Sequence, residues 1–205
     1  MKMIIQRIFA ISAVIVLSLV LNYATTQDII SVEAGQIGFQ VLLIIYLIQL
    51  VVFLVSFILK TEHYYDLTGG ITYITVIVFT LYQKQLLGTL DFRSILLGVL
   101  ILVWAMRLSS FLFLRIKKAG KDRRFDKIKT NFTRFMLAWA LQGFWVFMCT
   151  LPAITAIASE SKTTDYFLVG GAALWLFGFI MEVVADRQKS TFNQDPKNKG
   201  QFISS

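Results

Sequence analysis

The chain has 205 residues, of which 57% are hydrophobic and only 16% charged, where an ordinary soluble domain carries about 25% charged residues. A soluble core of this length has no room for that much apolar side chain, 18 Phe included, so a soluble globular domain is excluded and the membrane class is the first reading. The net charge of +8 points toward nucleic acid only until the charges are located: they fall in loops between apolar runs, which fits an anionic membrane face.

A helix needs about 20 mostly apolar residues to cross a bilayer core, and six stretches qualify. In the first, Ile4–Ala24, Lys2 and Arg7 precede the apolar run, as in a signal peptide. That run is longer than a usual signal core, and no small-x-small site closes it before "TTQD", so a retained anchor is favoured. The second stretch is Gln36–Leu59. The third, Leu67–Tyr82, is short, β-branched and aromatic ("ITYITVIVFTLY"), and by periodicity alone it could be a strand. An isolated strand cannot satisfy its backbone in lipid, so a helix is expected. The fourth, Ile95–Ile116, is interrupted by Arg107; the fifth is Phe132–Ala158 and the sixth Tyr166–Val184. From Lys189 onward, closely spaced Asn, Asp, Pro, Lys and Gly read as a loop. No repeat or linker divides the chain, so residues 1–205 read as one membrane domain, with 1–35 as anchor helix and outer loop.

Orientation follows from Lys and Arg. The loop Arg115–Arg134 holds nine, Thr25–Gly35 none and Ser159–Asp165 one. With the basic loop in the cytosol and six alternating helices, sixteen basic residues lie inside and three outside (Lys84, Arg93 and Lys162), with Arg107 within a span. The expected fold is therefore all-α: a multi-pass transmembrane bundle of about six helices with both termini cytosolic.

Four constellations carry chemical content. Arg107 lies about 18 Å along its helix, where a charge is costly unless paired or snorkelled. It either snorkels, with Trp104 as a cation–π partner, or faces an anionic ligand in a cavity. Glu182, Asp186 and Lys189, spaced by four and three, share one helical face. Carboxylates at a helix C-terminus oppose the macrodipole, so they mark a solvated membrane exit, a longer helix or a ligand offering donors. In "YYDLTGG", residues 64–70, Asp66 could cap a helix or act as an acid, and Gly69 and Gly70 permit close backbone approach. The loop "AGKDRRFDKIKTN" could hold an anionic leaflet or grip dinucleotide phosphates through Arg. Nucleic acid is not an expected partner, because no recognition fold accompanies these cations.

Gln142, three residues from both Trp139 and Trp145, reads as helix–helix glue. The lone Cys149 allows no intrachain disulfide and reads as a small filler. The only histidine is His63, and no His or Cys cluster has ligand spacing, so no metal is expected. No phosphate fingerprint or nucleophile elbow appears.

With these residues in hand, the chain resembles the DUF1295 family, which belongs with membrane proteins of the steroid 5-alpha-reductase type. The carrying motifs are "DLTGG" at 66–70, "RLSSFLFLRI" at 107–116 with "GKDRRFDKIK" at 120–129, and "QGFWVF" at 142–147 ahead of "LP". The most specific is "FGFIMEVVADRQKSTFNQDPKNKGQFISS" at 177–205. The resemblance runs from the second helix onward. It implies a helical bundle open to the cytosol that binds NADPH and reduces the enone double bond of a steroid- or lipid-like substrate. It implies that Glu182 and Asp186 face the cofactor, with Lys189, the Arg123 region and Arg107 near its polar groups. The acid that polarises the substrate carbonyl is then Tyr65 or Asp66. Family members continue past the "F-I-x-S" position into "G-L-W" and an S-R-H-P-N-Y-F-G-E-type motif that completes the dinucleotide site. The sequence ends at Ser205, so the expectation is a chain lacking that portion and inactive as it stands.

The leading expectation is thus an NADPH-dependent membrane reductase. Two others stand beside it. One is an isoprenylcysteine-methyltransferase-like enzyme using S-adenosylmethionine; the other is a non-enzymatic multi-pass membrane protein, an assembly partner or transporter. The expected location is the endoplasmic reticulum in a eukaryote and the inner membrane in a bacterium.

Overall fold

The computed structural model describes residues 2–26, 32–159, 166–198, 201 and 203, without the side chains of residues 26, 32–35, 119, 123 and 196. The expected outer loops at 27–31 and 160–165, with Lys162, and the last residues around Ser205 lie outside the described residues. Regular structure among the described residues is helical throughout: α1 (Lys2–Thr26), α2 (Val32–Ile58), α3 (Tyr65–Leu86), α4 (Phe92–Ala119), α5 (Phe132–Ala158) and α6 (Tyr166–Gln194). Short 3-10 turns stand at Arg123–Phe125 and Pro196–Asn198. The chain groups into two compact units, Met1–Lys162 with α1 to α5 and Thr163–Ser205 with α6.

The helix expected at α3 is present, but α3 does not qualify as a membrane span by composition. Five helices are long and apolar enough to cross a membrane, namely α1, α2, α4, α5 and α6. The helix carries Asp66 near its start, Gln83, Lys84 and Gln85 near its end, and four threonines between. Thr68, Thr72, Thr75 and Thr80 each donate their hydroxyl to the carbonyl four residues back, at 2.6–2.8 Å, so the helix satisfies its own polar groups. Thr68, Thr72 and Thr80 are buried, and α3 packs against α2, α4 and α5. On the outside, Leu43, Leu47, Val51, Leu54, Val99 and Val103 are exposed apolar residues of α2 and α4 that suit contact with lipid. The chain is a multi-pass integral membrane protein.

Helix ends follow ordinary capping chemistry. The Asp91 side chain accepts from Ser94 N at 2.7 Å to cap α4. Gly120 ends α4 at φ 78°, a conformation that costs a glycine little. Asn131 caps α5 by accepting from Arg134 N. Asp66 is no cap, which corrects one of its two readings. Tyr65 N already donates to Glu62 O at 3.0 Å, the cap position belongs to Tyr64, and Asp66 falls inside the first turn.

Side-chain bonds define the two ends of the first unit. At the basic end, Arg7 on α1 donates to Asn131 Oδ1 and Thr133 Oγ1 at 3.1 and 3.2 Å. His63 Nε2 meets Gly120 O at 2.9 Å. At the far end, Arg93 donates to Ala156 O and Ser159 Oγ at 2.8 and 2.9 Å, and Lys84 donates to Ser159 O. Two cations thus meet the last carbonyls of α5, where the helix dipole favours them. Within the first unit, these bonds and the one from Gln83 on α3 to Gln40 on α2 make α1 to α5 alternate in direction.

In lipid, helices gain little by hiding apolar surface and associate through close packing. One apolar cluster, with Val41, Ile45, Val76, Ile77, Val146 and Phe147 at its centre, joins α2, α3 and α5. Phe53, Phe125, Phe135 and Trp139 form a second cluster that includes the 3-10 turn.

In the second unit, α6 runs past Val184 to Gln194 and stops just before Pro196. The first six residues of the loop expected from Lys189 are therefore helix: nothing in "KSTFNQ" breaks one, and Pro196 follows just past the end. Asp186 lies about two turns before the helix end, so the macrodipole objection to both carboxylates disappears.

Candidate functional site: a cavity between α3, α4 and α5

A cavity of about 320 Å³ lies among α3, α4 and α5. Its walls are apolar and aromatic, from Trp104, Leu108 and Leu112 on α4 and Leu141 and Trp145 on α5. Two glycines bring the helices to this spacing. A Cβ on Gly70 would overlap the Ser109 side chain, and one on Gly69 would lie 3.0 Å from Gln142 Nε2. The close approach expected of the glycine pair is helix to helix.

Asp66 is the carboxyl of this lining. Its Oδ2 is buried with no hydrogen-bond partner, and the Arg115 guanidinium lies 3.9 Å away. Burial pushes the Asp66 carboxyl above its ordinary range. The charges of Arg124 and Arg115 oppose that shift without cancelling it. Arg124 is spent elsewhere: it forks onto Asp122 through Nε at 3.0 and 2.9 Å and through a terminal nitrogen at 2.5 Å.

Gln142 supplies the second polar group. Its Nε2 donates to the Tyr65 carbonyl at 2.9 Å, which confirms its role as interhelical glue. A carbonyl can only accept, so the amide must present nitrogen there and leave Oε1 as a buried acceptor without a partner. Tyr65 lines the same cavity, but its hydroxyl donates to Ala138 O at 2.9 Å. Burial, aided by the Asp66 charge, pushes the phenol up to about 12.

The basic loop is tied down over this end of the bundle. Glu62, 1% exposed, accepts from Lys129 Nζ at 2.5 Å and from Asp122 N at 3.1 Å. Burial alone would raise the Glu62 carboxyl, but these bonds hold it below its ordinary range. Phe125 packs on the Tyr65 ring at 4.8 Å between centroids.

The structure therefore brings Tyr65 and Asp66 together with Gln142, Trp104 and Trp145. Arg107 is not among the cavity-lining residues. Its guanidinium lies over Phe111, one turn on, at 5.4 Å, while Trp104 packs edge-on against Tyr73. The Arg123 side chain lies outside the described residues. Glu182, Asp186 and Lys189 stand on α6 in the second unit, at the spacing that shares one face. Sequence reasoning missed Glu62, the place of Arg115 beside Asp66 and that of Gln142 at the cavity. The available signal was a lone glutamate in a short loop facing a loop of nine cations.

A cavity of this size suits the body of a small amphipathic ligand. No curated protein and no solved structure matches the chain. One family model does, described as "Protein of unknown function (DUF1295)", and it covers residues 52–205. That span includes every residue of the cavity and all of α6, and with three quarters of its length matched the chain belongs to the DUF1295 family.

Proposed function

We propose that the chain is a membrane-embedded reductase of the steroid 5-alpha-reductase type, and that the cavity between α3, α4 and α5 takes the enone end of a steroid- or lipid-like substrate. The observation that carries this reading is Asp66: one carboxyl in an otherwise uncharged aromatic and aliphatic cavity, raised by burial, with its Oδ2 buried and without a hydrogen-bond partner. In its neutral form it donates a hydrogen bond to the carbonyl oxygen of an enone and polarises the conjugated double bond. Trp104 and Trp145 line the cavity and give the reacting bond an apolar surround. NADPH, when bound, supplies the hydride. The residues that would hold it are Glu182, Asp186 and Lys189 on α6. Their chemistry suits it, since carboxylates accept from ribose hydroxyls and carboxamide N–H groups, and an ammonium pairs with phosphate.

The test measures thermal unfolding of the purified chain with NADPH and with S-adenosylmethionine, together with NADPH oxidation in the presence of a cyclic enone. The reading expects an NADPH-dependent rise in Tm that Glu182→Ala and Asp186→Ala abolish. It expects Asp66→Asn to keep that rise while turnover is lost. A shift with S-adenosylmethionine alone would move the protein to methyl transfer, and a shift with neither cofactor would sink the reductase reading.

A further inference from the structure

Four acidic side chains stand at the basic end of the first unit, and each faces one cation. Glu62 meets Lys129 and Asp122 meets Arg124, both at 2.5 Å, while Asp126 meets Lys121 at 3.4 Å and Asp66 meets Arg115 at 3.9 Å. Arg7 is engaged by neutral partners, Asn131 and Thr133. The acids of this end are thereby used, and six cations remain. Lys2, Lys60, Lys117, Lys118, Lys127 and Arg134 are all exposed and make no ion pair among the described residues. Lys2 opens α1, Lys60 follows α2, Lys117 and Lys118 close α4, Lys127 lies in the loop after it, and Arg134 is in the first turn of α5.

The kind of partner follows from what borders these charges. Ile5, 59% exposed, stands three residues along α1 from Lys2. Leu114, 62% exposed, stands three and four residues before Lys117 and Lys118, and Leu59, 60% exposed, adjoins Lys60. Residues three or four apart share a helix face. Apolar surface therefore lies beside these charges on the side toward the span, the same order in which a phospholipid carries its headgroup and its acyl chains. A soluble anion would meet the charges and leave that surface uncovered. Residue type points the same way. Five of the six are lysine, a point charge on a flexible stem that can follow a mobile headgroup, whereas the planar fork of arginine suits one fixed anion. Two arginines of this end, Arg115 and Arg124, are the ones held against carboxylates.

We propose that the basic end of the bundle binds the headgroups of anionic phospholipids, with Lys60, Lys117, Lys118 and Lys127 among its contacts. Each lysine or arginine near an anionic leaflet adds its own attraction, and the sum falls off within a Debye length. None of the six cations lines the cavity between α3, α4 and α5, so the inference stands apart from the reductase reading.

The test places the full chain in phosphatidylcholine bilayers with traces of chain-spin-labelled lipids. Electron spin resonance then compares the association of phosphatidylglycerol, phosphatidylethanolamine and phosphatidylcholine with the protein. The expected result is a preference of about fivefold for phosphatidylglycerol over phosphatidylcholine, the worth of one lysine at an anionic surface, and none for phosphatidylethanolamine. Lys60→Ser, Lys117→Ser, Lys118→Ser and Lys127→Ser together should bring the ratio close to one. These four side chains make no hydrogen bond or ion pair among the described residues, so the variant should keep the parent's Tm. Salt at about 1 M, where the Debye length is about 3 Å, should bring the parent's ratio down without any substitution. Inorganic pyrophosphate should displace no more lipid than sodium chloride of equal ionic strength. Equal association of phosphatidylglycerol and phosphatidylcholine with the parent would overturn the proposal, as would a preference that survives the salt or the four substitutions. Displacement by pyrophosphate beyond the effect of salt would also overturn it, and would assign these lysines to a soluble anion.

Discussion

Gln142 on α5 donates its amide to the main-chain oxygen of Tyr65 on α3 at 2.9 Å, one residue before the carboxyl that lies in the same cavity. This bond joins α3 to α5 at the cavity and fixes the orientation of the amide.

Replacing Gln142 with Leu should therefore cost more than its volume suggests. The Tyr65 carbonyl loses its side-chain donor, and the expected loss is about 1–3 kcal/mol, the cost of a buried polar group left unmet. Gln142→Glu should be worse at neutral pH, because it sets a second carboxylate in the cavity lining beside Asp66. Thermal unfolding in one detergent ranks the three proteins. A Leu variant as stable as the parent would show that the bond does not hold the helices together.

Gly70 is the contact that brings α3 and α4 together. A methyl group there overlaps Ser109, whose hydroxyl is bound back to Ala105 O at 2.6 Å. Gly70→Ala should lose about 1–3 kcal/mol, as overpacked sites do. Ser109→Gly, which removes the overlapped atoms, should restore part of that loss, whereas Ser109→Ala, which keeps the clashing Cβ, should restore less. Gly88, at φ 67° with nothing within 4 Å of an added Cβ, is the control: there Ala meets only backbone strain.

Legibility in the sequence divides along physical lines. α5 is read residue for residue at Phe132–Ala158, because a long apolar run coincides with the Asn131 cap and the turn at Ser159. α6 is read from Tyr166 but not to its end, since hydropathy marks the membrane boundary and only Pro196 marks the helix boundary. α3 is read as a helix, yet its composition, with Asp66, Gln83, Lys84 and Gln85 toward its ends, falls below that of a span. At the site, Asp66 is visible because a carboxyl beside a glycine pair is unusual in an apolar chain. Its neighbours are not: Arg115 is 49 residues away, and Glu62 meets Lys129 across 67 residues. Such partners are set by how helices stack and not by local pattern.

The charge count also makes a prediction about sidedness. The basic end holds Arg7, His63, Arg115 and the loop around Lys121, while the far end holds Gly88 and Ser159. In a Cys149→Ala background, Lys118→Cys should react with a membrane-impermeant maleimide only after cells are opened, and Gly88→Cys should react in intact cells. The reverse labelling would invert the orientation while leaving the bundle as described.

Two carboxyls at the basic end should give opposite pH signatures. Glu62 is held below its ordinary range by its bonds to Lys129 and Asp122. Its contribution to stability is present above the unfolded value, about 4.3, and is lost as pH falls through the folded value. Asp66 is raised, so the folded state holds its proton longer than the unfolded state does. Between the unfolded value, about 3.9, and the raised folded value, stability falls as pH increases, and above that window the cost is fully present. Asp66→Asn removes the cost: it should raise Tm near neutral pH, with the gain shrinking to nothing in acid, where the parent's Asp66 is protonated in both states. Glu62→Gln should do the opposite, losing Tm at neutral pH and converging on the parent as the pH falls. Unfolding curves for the parent and both variants across pH 3–8 decide the matter. If the Asp66→Asn difference is the same at every pH, burial does not raise the carboxyl, and the acid that the proposed reaction needs has to be sought elsewhere.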